Sequence, residues 1–275
     1  MPEPLNTELR LMRLTDREIK AILVKADKDI QDRLRRLGKN PKIGAKTRSA
    51  QLRIRRDILR AFRRVGDYTE EGIARAVREA TKVFTKIDSA TLRKLGINPK
   101  SYMNELAAEA EESIKLLQAK KTNGIRLAER VYKDGLVAAG KIDEIVNVAL
   151  ARGSSAAEIM KSVHGFVNPD TPGGARYAAQ RLARTEINNA FHETAIQRYA
   201  SNEFVDYVDW NLSGSHPEPD RCNEFAEQVH VSGQEAGVYR AGDIPQRPHP
   251  NCLCYITPRE LDEEEFDRRI ANESE

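Results

Sequence analysis

Arg247-Pro248-His249-Pro250-Asn251-Cys252-Leu253-Cys254 is the stretch on which the reading of this chain turns. Proline fixes its own φ and pushes the preceding residue toward β or polyproline geometry, so Pro248 and Pro250 predict an extended ledge that presents His249. Cys252 and Cys254 are two apart, which on a strand sends both side chains off one face. With Cys222, the remaining cysteine, the set is three thiols and an imidazole, a donor set that favours zinc over magnesium or calcium. Four protein ligands make a closed structural site with no position for a substrate. His216 and His230 compete with His249 as the fourth ligand. Two other readings stay open: the cysteines as small buried hydrophobes with His249 bonded to a loop, or a disulfide from Cys222 to Cys252 or Cys254.

Outward from the ledge, Val205-Asp206-Tyr207-Val208-Asp209-Trp210 alternates like a strand and holds the only tryptophan. Residues 252–257 predict another strand, and an acidic helix is expected from Pro258. Residues 175–199 read as a helix with Ala178, Leu182, Ile187, Ala190 and Ala195 at its small or apolar positions. Asn168-Pro169-Asp170-Thr171-Pro172-Gly173-Gly174 is a run of turn residues that marks a linker. Ser155 and Glu158 form a capping box for a short helix ending near His164-Gly165. Residues 101–152 predict a long helix interrupted at Asn123-Gly124 and Gly140. Nearer the start, Thr15 and Glu18 read as the capping box of a helix running to Leu37. A second helix over residues 44–65 is expected to break at Gly66-Asp67, and a third to end at Gly96-Ile97-Asn98-Pro99. The fold class is therefore mainly α with a small α+β C-terminal module and an elongated helical N-terminal region. The expected division is a basic arm over 1–100, a helical body over 101–172, the module over 173–258 and an acidic tail over 259–275.

Composition supports long solvated helices: 32% of the 275 residues are charged and only 6% aromatic. The net charge of +3 hides an asymmetry, since residues 1–66 hold 19 Lys and Arg against 8 Asp and Glu, whereas residues 259–275 hold 3 against 8. No apolar run reaches the roughly 18 residues of a membrane span, and the first residues lack the basic and apolar regions of a signal peptide. The expectation is a chain made and used in cytosol-like, thiol-reducing conditions, without a membrane.

Residues 42–66 carry nine cations and one acid. Lys46, Arg48, Arg53, Arg55, Arg56, Arg60, Arg63 and Arg64 are the candidates to meet nucleic-acid phosphates or an acidic protein face; the bland alternative is a solvated helix. Arg184 and Glu186, two apart on a helix, point to different faces and do not make a catalytic pair. His192 and Glu193 are not followed by the spacing of a zinc protease, and there is no phosphate-binding loop or nucleophile elbow. No nucleophile, base and oxyanion site can be assembled, so the chain reads as a non-enzyme.

The order Ala183-Arg184-Thr185-Glu186 with Asn188 and Asn189, then Trp210, then Asp220-Arg221-Cys222, then Pro248-His249-Pro250-Asn251-Cys252-Leu253-Cys254 resembles the phage Mu F-like minor head proteins, the phage head morphogenesis family. The likeness covers roughly residues 120–258. Many members have a second cysteine where Phe225 stands and an arginine where Leu253 stands. The resemblance implies a minor structural protein of the virion head at the portal vertex, made in the host cytoplasm and acting in head assembly, DNA packaging or DNA ejection. Its implied partners are the portal protein, the major capsid protein and packaged DNA, with an oligomeric state set by the portal vertex. The alternatives are a nucleic-acid binding protein using residues 42–66, a zinc-dependent nuclease, or an ADP-ribosyltransferase.

Overall fold

The computed structural model describes residues 3–38, 44–94, 98–122, 125–152, 154–168, 174–202, 205–214, 219–250, 252–259 and 268. Their order is α1 (Glu3–Gly38), α2 (Gly44–Lys94), α3 (Lys100–Ala119), β1 (Lys121–Thr122), β2 (Ile125–Arg126), α4 (Leu127–Ala151), α5 (Ala156–Val167), α6 (Ala175–Ala200), β3 (Tyr207–Asn211), α7 (Arg221–Glu227), β4 (Val238–Arg240) and β5 (Tyr255–Arg259). The chain is thus mainly α with a small C-terminal sheet, as expected. By compactness it forms two units, one from residues 1–10, 73–115 and 187–275, the other from 11–72 and 116–186. Each draws on non-contiguous stretches, so neither coincides with a single segment of the expected division.

The second unit is a helical bundle. On α1, Ile19, Leu23, Ile30 and Leu34 fall on one stripe and are buried, and α2 supplies Ile54, Ile58, Phe62 and Val65 at the same helical spacing. Each such side chain contributes about 1.5–3 kcal/mol of transfer free energy. α2 and α4 run antiparallel: Gln51 donates to Asn147 at 2.8 Å and Arg55 to Asp143 at 3.0 Å, while further along Phe62 meets Gly135 and Gly66 meets Val131. A Cβ on Gly135 would stand 3.0 Å from the Phe62 Cβ, so glycine is what lets the two backbones approach. The Arg184-Thr185-Glu186 run is structural. Arg184 and Gln180 both reach Asp16, and Glu186 takes both ends of Arg130 at 2.6 and 2.9 Å.

Several expected breaks are absent. α1 passes through Thr15, whose hydroxyl donates to the Leu11 carbonyl at 2.8 Å within the helix instead of capping it. α2 passes through Gly66-Asp67 and α4 through Gly140, because a helix held by neighbours on its apolar face carries a glycine at a cost of about 1 kcal/mol. The helix expected over 101–152 does break in the region of the expected Asn123-Gly124 interruption, ending at Ala119 and resuming at Leu127 with the paired strands β1 and β2 between; Asn123-Gly124 itself lies outside the described residues. The Ser155–Glu158 capping box is present, with α5 running on to Val167.

In the first unit α6 buries Ile187, Ala190, Phe191 and Ala195, and β3 alternates so that Val208 and Trp210 are buried. β3 is central in an antiparallel sheet of order β4-β3-β5, with Trp210 opposite Ile256. Trp210 meets His192 of α6 and Phe225 of α7 edge-on, at ring separations of 5.5 and 5.1 Å. Gly237 leads into β4 at φ +76, and a Cβ there would fall 2.7 Å from the Ala226 carbonyl, so only glycine fits. Pro258 lies in β5, and residues 260–267 and 269–275 of the expected acidic helix lie outside the described residues. Among the described residues no helix is long and apolar enough to cross a membrane.

Candidate metal centre

Two short elements bring the cysteines together. Asp220 caps α7, its carboxylate accepting from the Cys222 backbone N–H at 2.7 Å and its own N–H bonding the Asn223 side chain, so Cys222 sits in the first turn facing inward. Cys252 and Cys254 lie in the extended stretch just before β5 rather than in the strand itself, and their spacing of two still turns both inward. All three are unbridged and buried, and their sulfurs lie within 4.8 Å of one another.

Cys222 Sγ stands 3.5 Å from Cys252 Sγ and 3.3 Å from His249 Nε2. Ligand atoms about 2.3 Å from a tetrahedral ion are about 3.8 Å apart, so these separations are close to those of a shared ion. Asp220, Cys222 and His249 form a second group of the same compactness, with Asp220 Oδ2 2.9 Å from His249 Nε2. Cys222 belongs to both groups. His249 Nδ1 meanwhile faces the Pro250 carbonyl at 3.1 Å. If Nδ1 carries a proton to that carbonyl, Nε2 presents a lone pair toward an acceptor carboxylate and a sulfur, an arrangement that calls for a cation between them, either a proton or a metal. Burial pushes the Cys222 thiol up to about 12. Hydrogen bonding with Cys254, and then burial, raise Cys252 as well.

A shell of buried polar side chains holds the ledge. Asn188 and His192, one turn apart on α6, reach it with the Asn188 amide 3.5 Å from the Cys252 carbonyl and His192 Nε2 3.2 Å from the Pro245 carbonyl. Burial lowers His192 to about 3, with the nearby Arg247 charge adding to the effect, so it is a neutral donor. Arg247, at the head of the ledge, donates to the Cys254 carbonyl at 3.0 Å and pairs with Glu8 of α1 at 2.5 Å. The two side chains are 2% and 3% exposed. Burial raises the Glu8 carboxyl against the pull of Arg247, while for Arg247 burial is outweighed by the charge and hydrogen bond of Glu8, which hold its guanidinium charged.

The structure brings together the three thiols of Cys222, Cys252 and Cys254, and sets His249 in a second cluster with Cys222 and Asp220 rather than among all three thiols. His230 goes elsewhere, stacked on Tyr239 at 4.1 Å with Nε2 2.7 Å from its hydroxyl, and His216 lies outside the described residues. Phe225 packs on Trp210. Glu8, Asn188, His192 and Asp220 were not read from the sequence as parts of this centre. Asn188 had its signal in the family resemblance, His192 only as a polar residue four places on along a helix face otherwise built of alanine, isoleucine and phenylalanine, and Glu8 had no local signal at all. Of the basic candidates, Arg55 is paired with Asp143, Arg53, Arg56, Arg60, Arg63 and Arg64 are exposed, and the side chains of Lys46 and Arg48 lie outside the described residues.

Compared in turn with protein-family models, curated proteins and solved structures, the chain matches none of them.

Proposed function

We propose that this chain is a minor structural protein of a tailed-phage head, seated at the portal vertex and acting in head assembly, DNA packaging or DNA ejection, with a structural zinc ion on Cys222, His249, Cys252 and Cys254. The observation that carries the reading is the meeting of two motif segments far apart in sequence, Asp220-Arg221-Cys222 and Pro248 to Cys254, against Asn188 of the helix that bears the third. Those are the segments on which the resemblance rests. The donor chemistry fits zinc: three thiols close together and an imidazole 3.3 Å from the Cys222 sulfur, the ring's other nitrogen on a backbone carbonyl.

Four protein ligands leave no open coordination position, so the ion would act by cross-linking α7 to the ledge and stiffening the module. A stiff module is what docking on a portal or capsid partner requires, and no turnover is assigned to any residue. The test is the protein content of particles made from the genome that encodes this chain. Mass spectrometry of purified full particles should find it in few copies, and its consistent absence from them overturns the assignment.

A further inference from the structure

The groove between α2 and α4 is unused by the metal centre and is built unlike a simple solvated surface. It has a volume of about 500 Å³ and a floor of Leu59, Val131 and the paired glycines, where the helices approach most closely. Arg56, Arg60 and Arg63 form one wall, at the i, i+4 and i+7 positions of a single helical face. Tyr132, 59% exposed, stands on α4 beside the same floor.

The arginines are not held by the protein. Among the described residues Arg56 and Arg63 have no ion-pair or hydrogen-bond partner, and Arg60 reaches only Asp57 at 3.7 Å, a carboxylate already taken by Arg33. Like charges one turn apart repel, so the bare wall asks for an anion. An apolar floor and an open aromatic ring, in contrast, ask for a flat apolar body.

We infer that this groove binds single-stranded nucleic acid, with a base stacked on Tyr132 and phosphates on Arg56, Arg60 and Arg63. A duplex keeps its bases inside and has no use for the floor or the ring, whereas stacking on an aromatic beside a cationic track is how single strands are held without regard to sequence. The rise from Arg56 to Arg63 is about 10 Å, the length of roughly three nucleotides. Asp67 and Glu70 line the groove beyond Arg63 and repel a backbone that continues that way, so the site is short. This inference stands apart from the virion reading and uses none of its motifs.

The experiment is fluorescence anisotropy of a labelled 12-nucleotide oligothymidylate with the full chain, across a salt series, beside a duplex of equal length. The single strand should bind more tightly than the duplex. Replacing Arg56, Arg60 and Arg63 together by alanine should flatten the log–log salt slope by about 2, at about 0.7 per phosphate lost. Tyr132→Ala should weaken binding about 5- to 100-fold and Tyr132→Phe should restore it, with circular dichroism showing unchanged helix content. An unchanged slope in the triple variant overturns the site. So does duplex binding as tight as single-strand binding, or wild-type affinity in Tyr132→Ala. Failure to bind the oligonucleotide while a polyglutamate peptide binds would make the groove a docking surface for acidic protein instead.

Discussion

The helical bundle of residues 11–72 and 116–186 and the module around β3 solve the problem of specifying a fold in opposite ways. The bundle hides isoleucine, leucine and phenylalanine along helical stripes and keeps ion pairs such as Arg55–Asp143 and Gln51–Asn147 contacts toward its surface. The module, with a sheet of three short strands, places its polar chemistry at the centre: three thiols, the neutral His192 and the Glu8–Arg247 pair. Apolar burial stabilises in proportion to area and tolerates exchange, whereas a buried polar cluster is stable only when every member is satisfied. Damage to the module should therefore be abrupt and damage to the bundle graded.

The largest test of that contrast is metal removal. Purified protein should carry about one zinc ion per chain by elemental mass spectrometry, and a chelator or the Cys252→Ser, Cys254→Ser double variant should unfold the module while the bundle keeps its helicity. Structural zinc contributes on the order of 10 kcal/mol of apparent folding free energy, so the loss of tryptophan burial should be complete. A metal-free module that keeps Trp210 shielded would break the comparison. Next in size is the ion pair. Glu8→Ala leaves the Arg247 guanidinium buried without its partner and should cost about 3–5 kcal/mol in chemical denaturation, while Glu8→Leu combined with Arg247→Met should recover most of it.

His192 supplies a pH signature of the module. Its folded value lies near 3 and its ordinary value is 6.5, so the unfolded chain takes up a proton that the folded one refuses. Stability is full above pH 6.5 and should fall by about 1.4 kcal/mol per pH unit from there toward pH 3. The His192→Gln variant should flatten that part of the profile, and an unaltered profile counts against a buried neutral imidazole. The smallest effects belong to two glycines of α4. Gly135→Ala drives a methyl into Phe62 and should cost about 1–3 kcal/mol, whereas Gly140→Ala meets nothing within 4 Å and should stabilise by about 0.5–1 kcal/mol. Thermal melts of the pair should move in opposite directions.

Which features could be read beforehand follows the same divide. Helical periodicity announced the core stripes of α1, α2 and α3, since burial of one face leaves a mark every three or four residues. Breaks were harder to foresee, because Gly66 and Gly140 look like stops until a neighbouring helix is there to hold them. Cys252 and Cys254 declared themselves by spacing, and His249 by the prolines on either side. Cys222 is joined to them by the Asp220 cap of a helix too short to show periodicity. Asn188 is visible through the motif it shares with Asn189, whereas His192 is visible only as a polar interruption. Glu8 answers a charge 239 residues further along the sequence, a distance over which local pattern carries no information.

That last contact also sets an order of events during synthesis. Glu8 leaves the ribosome 239 residues before Arg247, its guanidinium partner, so α1's opening turns wait through that stretch of synthesis with a carboxylate that has nowhere dry to go. Completion of the module waits for the synthesis of Arg247, whatever folds before it.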